Sequence, residues 1–157
     1  MSKSLLNAVK NNDLKLAQQL IDDGADVNQV DGSGNSLLIV SSADGKPKMV
    51  QLLLDNGADI KAVDSGSKAT ALHAAAYLGH PEVMQVLVDN GVEIDAQGPY
   101  NGYTALHDAI WQSNVGGVKV LVKAGADLKI KGKNGKTPLD LAKQQGNKEI
   151  IALLSGA

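Results

Sequence analysis

A short marker recurs along this chain at a nearly constant interval: Gly24-Ala25-Asp26, Gly57-Ala58-Asp59, Gly91-Val92-Glu93 and Gly125-Ala126-Asp127, spaced by 33, 34 and 34 residues. That period constrains the fold more than any other feature. A segment of this length makes one small supersecondary unit that cannot bury its own apolar face and must stack on its neighbours. A second marker runs in register with the first. Ser36, Thr70, Thr104 and Thr137 each precede a short apolar run, and nine positions later stand Gly45, Gly79, Ser113 and Gly146. The weaker segment from Lys3 to Asn28 reads as a further, N-terminal copy.

Within one copy the residues dictate two helices. Thr70 and Thr104 are side-chain acceptors placed just before an apolar-periodic run, as an N-cap requires, and Thr137-Pro138 adds proline at the first helical position. Leu72, Ala75 and Ala76 then fall at i, i+3 and i+4, and Gly79 supplies a left-handed stop, which predicts a helix of about two turns. A longer helix follows from Pro81, with Val83, Met84, Leu87 and Val88 on one face and Asn90-Gly91 at its end. A polar stretch rich in Gly, Asp and Asn returns the chain to the next cap as an extended turn or hairpin. Alanines such as Ala75, Ala76 and Ala109 let first helices approach closely, while Leu52, Leu53, Leu87 and Leu121 fill the space between second helices. The expected architecture is an all-α repeat solenoid in one domain, with units at approximately 1–30, 31–63, 64–97, 98–130 and 131–157.

Thr70-Ala71-Leu72-His73-Ala74-Ala75-Ala76, Gly79-His80-Pro81-Glu82-Val83 and Gly57-Ala58-Asp59-Ile60 together resemble the ankyrin repeat, and Thr137-Pro138-Leu139-Asp140-Leu141-Ala142 looks like the last repeat of such an array. The resemblance covers essentially the whole chain. It implies a curved stack of L-shaped units that binds proteins through the first, inner helices and the projecting turn tips, and it implies no enzyme and no cofactor. Two departures stand out. Ser36-Leu37-Leu38-Ile39-Val40-Ser41-Ser42 replaces the usual Thr-Pro-Leu-His and alanine pattern, so the second unit is expected to be distorted or less stable. Lys68 and Pro99 interrupt the turn pattern, and one extra residue enters before each of units three and four.

Composition narrows the function. A net charge of −2 gives no global field for a polyanion, and all 15 basic residues are lysine, which removes the planar fork that best reads guanine edges. No specific DNA binding is expected. Absence of cysteine closes thiol catalysis, disulfides and thiolate metal sites. The start of the chain lacks a long apolar segment, so neither a signal peptide nor a membrane span is expected; the cytoplasm is the default compartment, with an exported mature chain as the alternative.

Candidate chemistry dissolves into the repeat. His73 and His107 occupy one position in successive units, where the resemblance implies a hydrogen bond to backbone between repeats, and His80 sits at another motif position. They make a row, not a converging metal site. Asp26, Asp59 and Asp127 belong to the repeated marker and read as turn stabilisers. Gly132-Lys133-Asn134-Gly135-Lys136-Thr137 resembles the end of a phosphate loop, but Ile130 stands where the leading glycine belongs, so it reads as a turn plus a helix cap. No catalytic or metal-binding residue is assigned. Lys129, Lys131, Lys133 and Lys136 cluster at that turn, within a C-terminal stretch, 115–157, holding eight lysines against three acids. They could meet nucleic acid or anionic lipid, or simply keep a capping repeat solvated.

The aromatic residues are few, three Tyr and one Trp, and none is assigned to the core. Tyr77 and Trp111 fall at equivalent places near the ends of consecutive inner helices, and Tyr100 and Tyr103 in the turn before the fourth unit. In resembling proteins such positions face partners, and Tyr and Trp are enriched at binding hot spots. With Leu78, Asn101, Asp108 and Gln112 beside them they form the expected partner-binding surface of a non-catalytic adaptor, scaffold or inhibitor. A monomer is expected, with a homodimer as the alternative. The competing readings are a phosphate-binding lysine turn and a small-ligand or catalytic use of the same concavity.

Overall fold

A computed structural model describes residues 4–156. Among them ten helices follow one another in five pairs: α1 Leu5–Lys10 and α2 Leu14–Asp22, α3 Leu37–Ala43 and α4 Pro47–Asp55, α5 Ala71–Leu78 and α6 Pro81–Asp89, α7 Ala105–Trp111 and α8 Val115–Lys123, α9 Pro138–Gln145 and α10 Lys148–Leu154. The first helices of the pairs stack in one row, α1 to α9, and the second helices in a parallel row, α2 to α10. Of the two expected forms of return, extended turn or hairpin, the structure has turns: the described residues hold isolated bridges, Val30 with Ser36 and Val63 with Thr70, and no named strand. No helix among them is long and apolar enough to cross a membrane.

Every first helix starts on a hydroxyl. Ser4, Ser36, Thr70, Thr104 and Thr137 each accept a hydrogen bond from the backbone N–H three residues on, which satisfies one of the donors a helix start leaves open. Gly79 and Gly146 close α5 and α9 in the left-handed conformation at φ 81° and 69°. Pro47 and Pro81 open α4 and α6, where a missing N–H costs nothing.

The core runs unbroken through the stack. Ala75, Ala76 and Ala109 are fully buried between first helices, and Leu53, Leu87 and Leu121 between second helices; Leu52 lies half-buried at the edge. Tyr103 departs from the expectation that no aromatic joins the core, because its half-buried ring packs against it. The second pair keeps regular helices, of seven and nine residues with a hydroxyl N-cap on α3, so the distortion, one of the two expected alternatives, is absent. What changes is the chemistry: Ile39 stands where His73 and His107 stand, and Ser41 and Ser42 are buried where unit three has Ala75 and Ala76. Ser41 donates to Leu38 O at 3.2 Å, whereas the Ser42 hydroxyl has no partner among the described residues.

Polar side chains then tie pair to pair. His73 Nε2 meets Tyr103 O at 2.9 Å, and His107 Nε2 meets Lys136 O at 3.0 Å, each spanning one repeat. At the start of the second helices a different set reaches backwards: Lys46 to Val9 O at 3.2 Å, His80 to Ala43 O at 2.9 Å and Asn114 to Ala76 O at 3.1 Å. Ammonium, imidazole and amide thus make the same donor contact to the carbonyl end of the preceding first helix. All three histidines are therefore occupied in backbone linkage. Asp26, Asp59 and Asp127 each accept from the backbone N–H two residues on, at 2.9 Å in every copy, an aspartate turn repeated three times.

Candidate functional site

The turns between pairs stand beside the ends of the first helices, and on the third and fourth pairs this leaves a groove. The extra residue before α5 sits in the turn 64–69, where Asp64 gathers the chain around its carboxylate. It accepts from the N–H of Gly66 at 2.9 Å and of Ser67 at 2.6 Å, and from the Ser67 hydroxyl at 2.5 Å. Lys68 takes φ +60° to complete that turn. Burial opposes the charge on Asp64, but the Ser67 hydroxyl and the surrounding backbone N–H groups outweigh it and hold the carboxyl below its usual pKa. The turn before α7 has glycine, Gly98, in the place of that aspartate, and it closes by Gly98 N–H donating to Tyr103 O at 2.8 Å. It projects Tyr100, 86% exposed, at its tip.

Tyr77 and Trp111 end α5 and α7, half exposed at 50% and 51%. Asp108 lies three residues before Trp111, on the same face of α7. The equivalent residue of α5 is Ala74, whose small side chain leaves room in front of the carboxylate.

These residues converge. Tyr77, Tyr100, Asn101, Tyr103, Asp108 and Trp111 line one cavity of about 590 Å3, together with Lys133 and Asn134 from the turn before α9. A neighbouring cavity of about 460 Å3 shares Tyr77, Tyr100, Asn101 and Asp108 with it and extends past Leu78, Ala74 and His73 to Asp64 and Ser67. The two form consecutive stretches of one groove across the turn tips. Of the residues singled out from sequence, Gln112 alone lines neither stretch; it is exposed at the C-cap of α7.

Tyr103 has a different character from the other three aromatics. Its ring stacks on His107, with centroids 4.8 Å apart and planes 11° from parallel, and its hydroxyl accepts from Asn134 Nδ2 at 2.9 Å. It is a wall of the groove and part of the frame at once. The sequence reading sets Lys133 in the lysine turn and Asn134 in a turn before a cap, not on this surface, yet they occupy, one period later, the places of Tyr100 and Asn101. Two side chains of the lysine turn, Lys133 and Lys136, are engaged. Lys133 N–H donates to Asn101 O at 2.8 Å, its ammonium donates to Pro99 O, and the Lys136 ammonium donates to Gln144 Oε1.

Asp108 is the electrostatic anomaly of the groove. Its carboxylate receives no hydrogen bond or ion pair from the described residues, and burial against the rings pushes its pKa up to about 7. His73 and His107, behind the groove wall, are shifted the other way: burial lowers both, opposed at His73 by the Tyr103 and Ala96 carbonyls and the Asp64 charge, and at His107 by the Lys136 carbonyl. Each meets its neighbouring cap threonine through Nδ1 at 2.8 Å, and Thr104 N–H also donates to His107 Nδ1 at 3.1 Å. That arrangement puts the His107 proton on Nε2 and spends both nitrogens on structure. No group of three or more His, Asp or Glu side chains that could hold a metal occurs among the described residues.

A family model described as "Ankyrin repeats (3 copies)" matches residues 5–98, 63–132 and 99–157. No curated protein matches the chain at a significant level.

Proposed function

Because this chain belongs to the ankyrin repeat family, whose members generally mediate protein–protein interaction, we propose that it is a non-catalytic interaction module. On this reading a protein partner docks in the groove formed by α5, α7 and the turns before α5, α7 and α9, on a single domain of five stacked units. One observation carries the reading: Tyr77, Tyr100 and Trp111 are exposed side by side along one groove, in a chain whose other large side chains are mostly spent on the core. Exposed aromatics rimmed by Asn101 and Asn134 give an apolar centre with a polar edge, the anatomy of a docking patch. A standard interface buries about 800 Å2 on each partner, which the groove and its rim would supply only in part, so the flanking turn tips join the footprint.

The test compares pull-down of cellular proteins by the wild-type chain, by Tyr77→Ala/Trp111→Ala and by a variant of a face remote from the groove, Gln19→Ala. Tyr103 is left intact because its ring is built into the frame. A protein retained by wild type and the remote variant but lost from the double variant supports the groove, provided all three chains melt alike. Equal retention by all three would move the site elsewhere. The lysine turn is tested in the same experiment by salt: retention that collapses steeply with salt concentration would return the reading to a polyanion ligand.

A further inference from the structure

The groove carries one feature that a purely apolar docking patch has no use for, the Asp108 carboxylate. Its partial burial beside the rings is costly for a charge, and among the described residues nothing compensates it. Asp64, the other acid along the groove, spends its oxygens on its own turn. Lys133 is the cation lining the same cavity, and its ammonium is held by Pro99 O instead. The two ion pairs among the described residues, Lys46 with Asp44 and Lys119 with Glu149, lie elsewhere.

Resting on the reading that the groove docks a protein, we propose that its occupant inserts an arginine side chain, whose guanidinium stacks on the exposed rings of Tyr77, Tyr100 and Trp111 and pairs with Asp108. An unpaired carboxylate set among aromatic faces is complementary to an organic cation, because ring quadrupole and carboxylate attract it together. Arginine fits better than lysine on geometry. Its plane stacks on a ring while its fork reaches both oxygens of one carboxylate, whereas an ammonium is a compact, strongly hydrated point charge. The chain itself contains no arginine, so the occupant is a different protein and not a second copy. A carboxyl whose pKa sits near 7 when the groove is empty is one that a docking cation would return to the charged form, and the ring-lined setting that raises it would strengthen the resulting pair.

Selection of random peptides displayed on phage tests this, with binders scored by their effect on the fluorescence of Trp111, the single tryptophan of the chain. The expected winners perturb Trp111 and share one arginine. Replacing that arginine by citrulline, its neutral counterpart, lowers affinity at least tenfold on the wild-type chain, and by at least threefold less on Asp108→Asn, where only the attraction of the rings is left to lose. The citrulline comparison needs no variant to fold. Peptides that perturb Trp111 but tolerate citrulline, or that share a lysine instead, would overturn the arginine inference and leave the docking groove standing. Binders that leave Trp111 unperturbed, or no binder that distinguishes wild type from Tyr77→Ala/Trp111→Ala, would overturn both.

Discussion

Tyr103 lies over Gly132 so closely that a Cβ on the glycine would stand 2.7 Å from both Cδ1 and Cε1 of the ring. The ring is thereby clamped between the turn before α9 and the face of His107, its other neighbour. Gly132 has no left-handed φ, so alanine there is a steric change and not a backbone one. Gly132→Ala is expected to destabilise by about 1–3 kcal/mol, the range for overpacking a tight site. The double variant Tyr103→Ala/Gly132→Ala should cost no more than Tyr103→Ala alone, a non-additivity that urea unfolding can read. Additive losses would mean that the ring and the glycine are not coupled.

Asp108→Asn should stabilise the protein more at pH 8 than at pH 5. The folded carboxyl titrates near 7 against an ordinary value of 3.8, so the folded chain holds this proton more tightly than the unfolded one. The resulting stabilisation is fully present below about 3.8 and is lost as pH rises through 7, where the wild type carries a desolvated carboxylate. Thermal melts at the two pH values check it, with roughly 2–4 °C expected for each kcal/mol in a chain of this size. A larger gain at pH 5 than at pH 8 would contradict the assignment.

His73 and His107 give the opposite dependence. Burial depresses both from 6.5, so the stability they confer is present above about pH 6.5 and is lost as pH falls through their folded values, the unfolded chain taking up protons that the folded chain does not. Asp108 is common to wild type and His107→Gln, so the difference between them isolates the imidazole. The urea midpoint of wild type should fall more between pH 7 and pH 5 than that of His107→Gln. At pH 7.5 the substitution should itself cost about 1–3 kcal/mol, because the Lys136 carbonyl and Thr104 N–H lose their shared partner.

Ser42→Ala should raise stability. The hydroxyl is fully buried and unpaired, and the same position one unit later is Ala76, equally buried. Removing an unsatisfied polar group while keeping the packing is expected to gain about 1 kcal/mol. A loss in chemical denaturation would show that the hydroxyl has a partner, such as a bound water.

Part of the groove was legible in the residue order because equivalent places in a repeat have equivalent addresses. Tyr77 and Trp111 share one such address, and the structure places both on the groove with Tyr100, Asn101, Asp108 and Leu78. Gln112 has a neighbouring address but lines neither cavity, since one residue is about 100° around a helix. Lys133 and Asn134 join from the following unit: the charge of Lys133 reads as a polyanion contact, but its register, one period after Tyr100, is what sets it on the groove.

Periodicity, caps and glycine stops were enough by themselves to determine five helix pairs stacked into one array. These are local signals, and a unit too small to bury its own apolar face has one way to satisfy it, against the next. The tertiary structure alone decided how the aromatics divide. Tyr103 and Tyr100 are three residues apart in one turn, yet one is stacked on His107 over Gly132 and the other stands free. It also left Asp108 without a partner. Both outcomes depend on the distance between neighbouring turns and on which donors arrive from the adjoining unit, quantities set by packing between repeats and not written in any one of them.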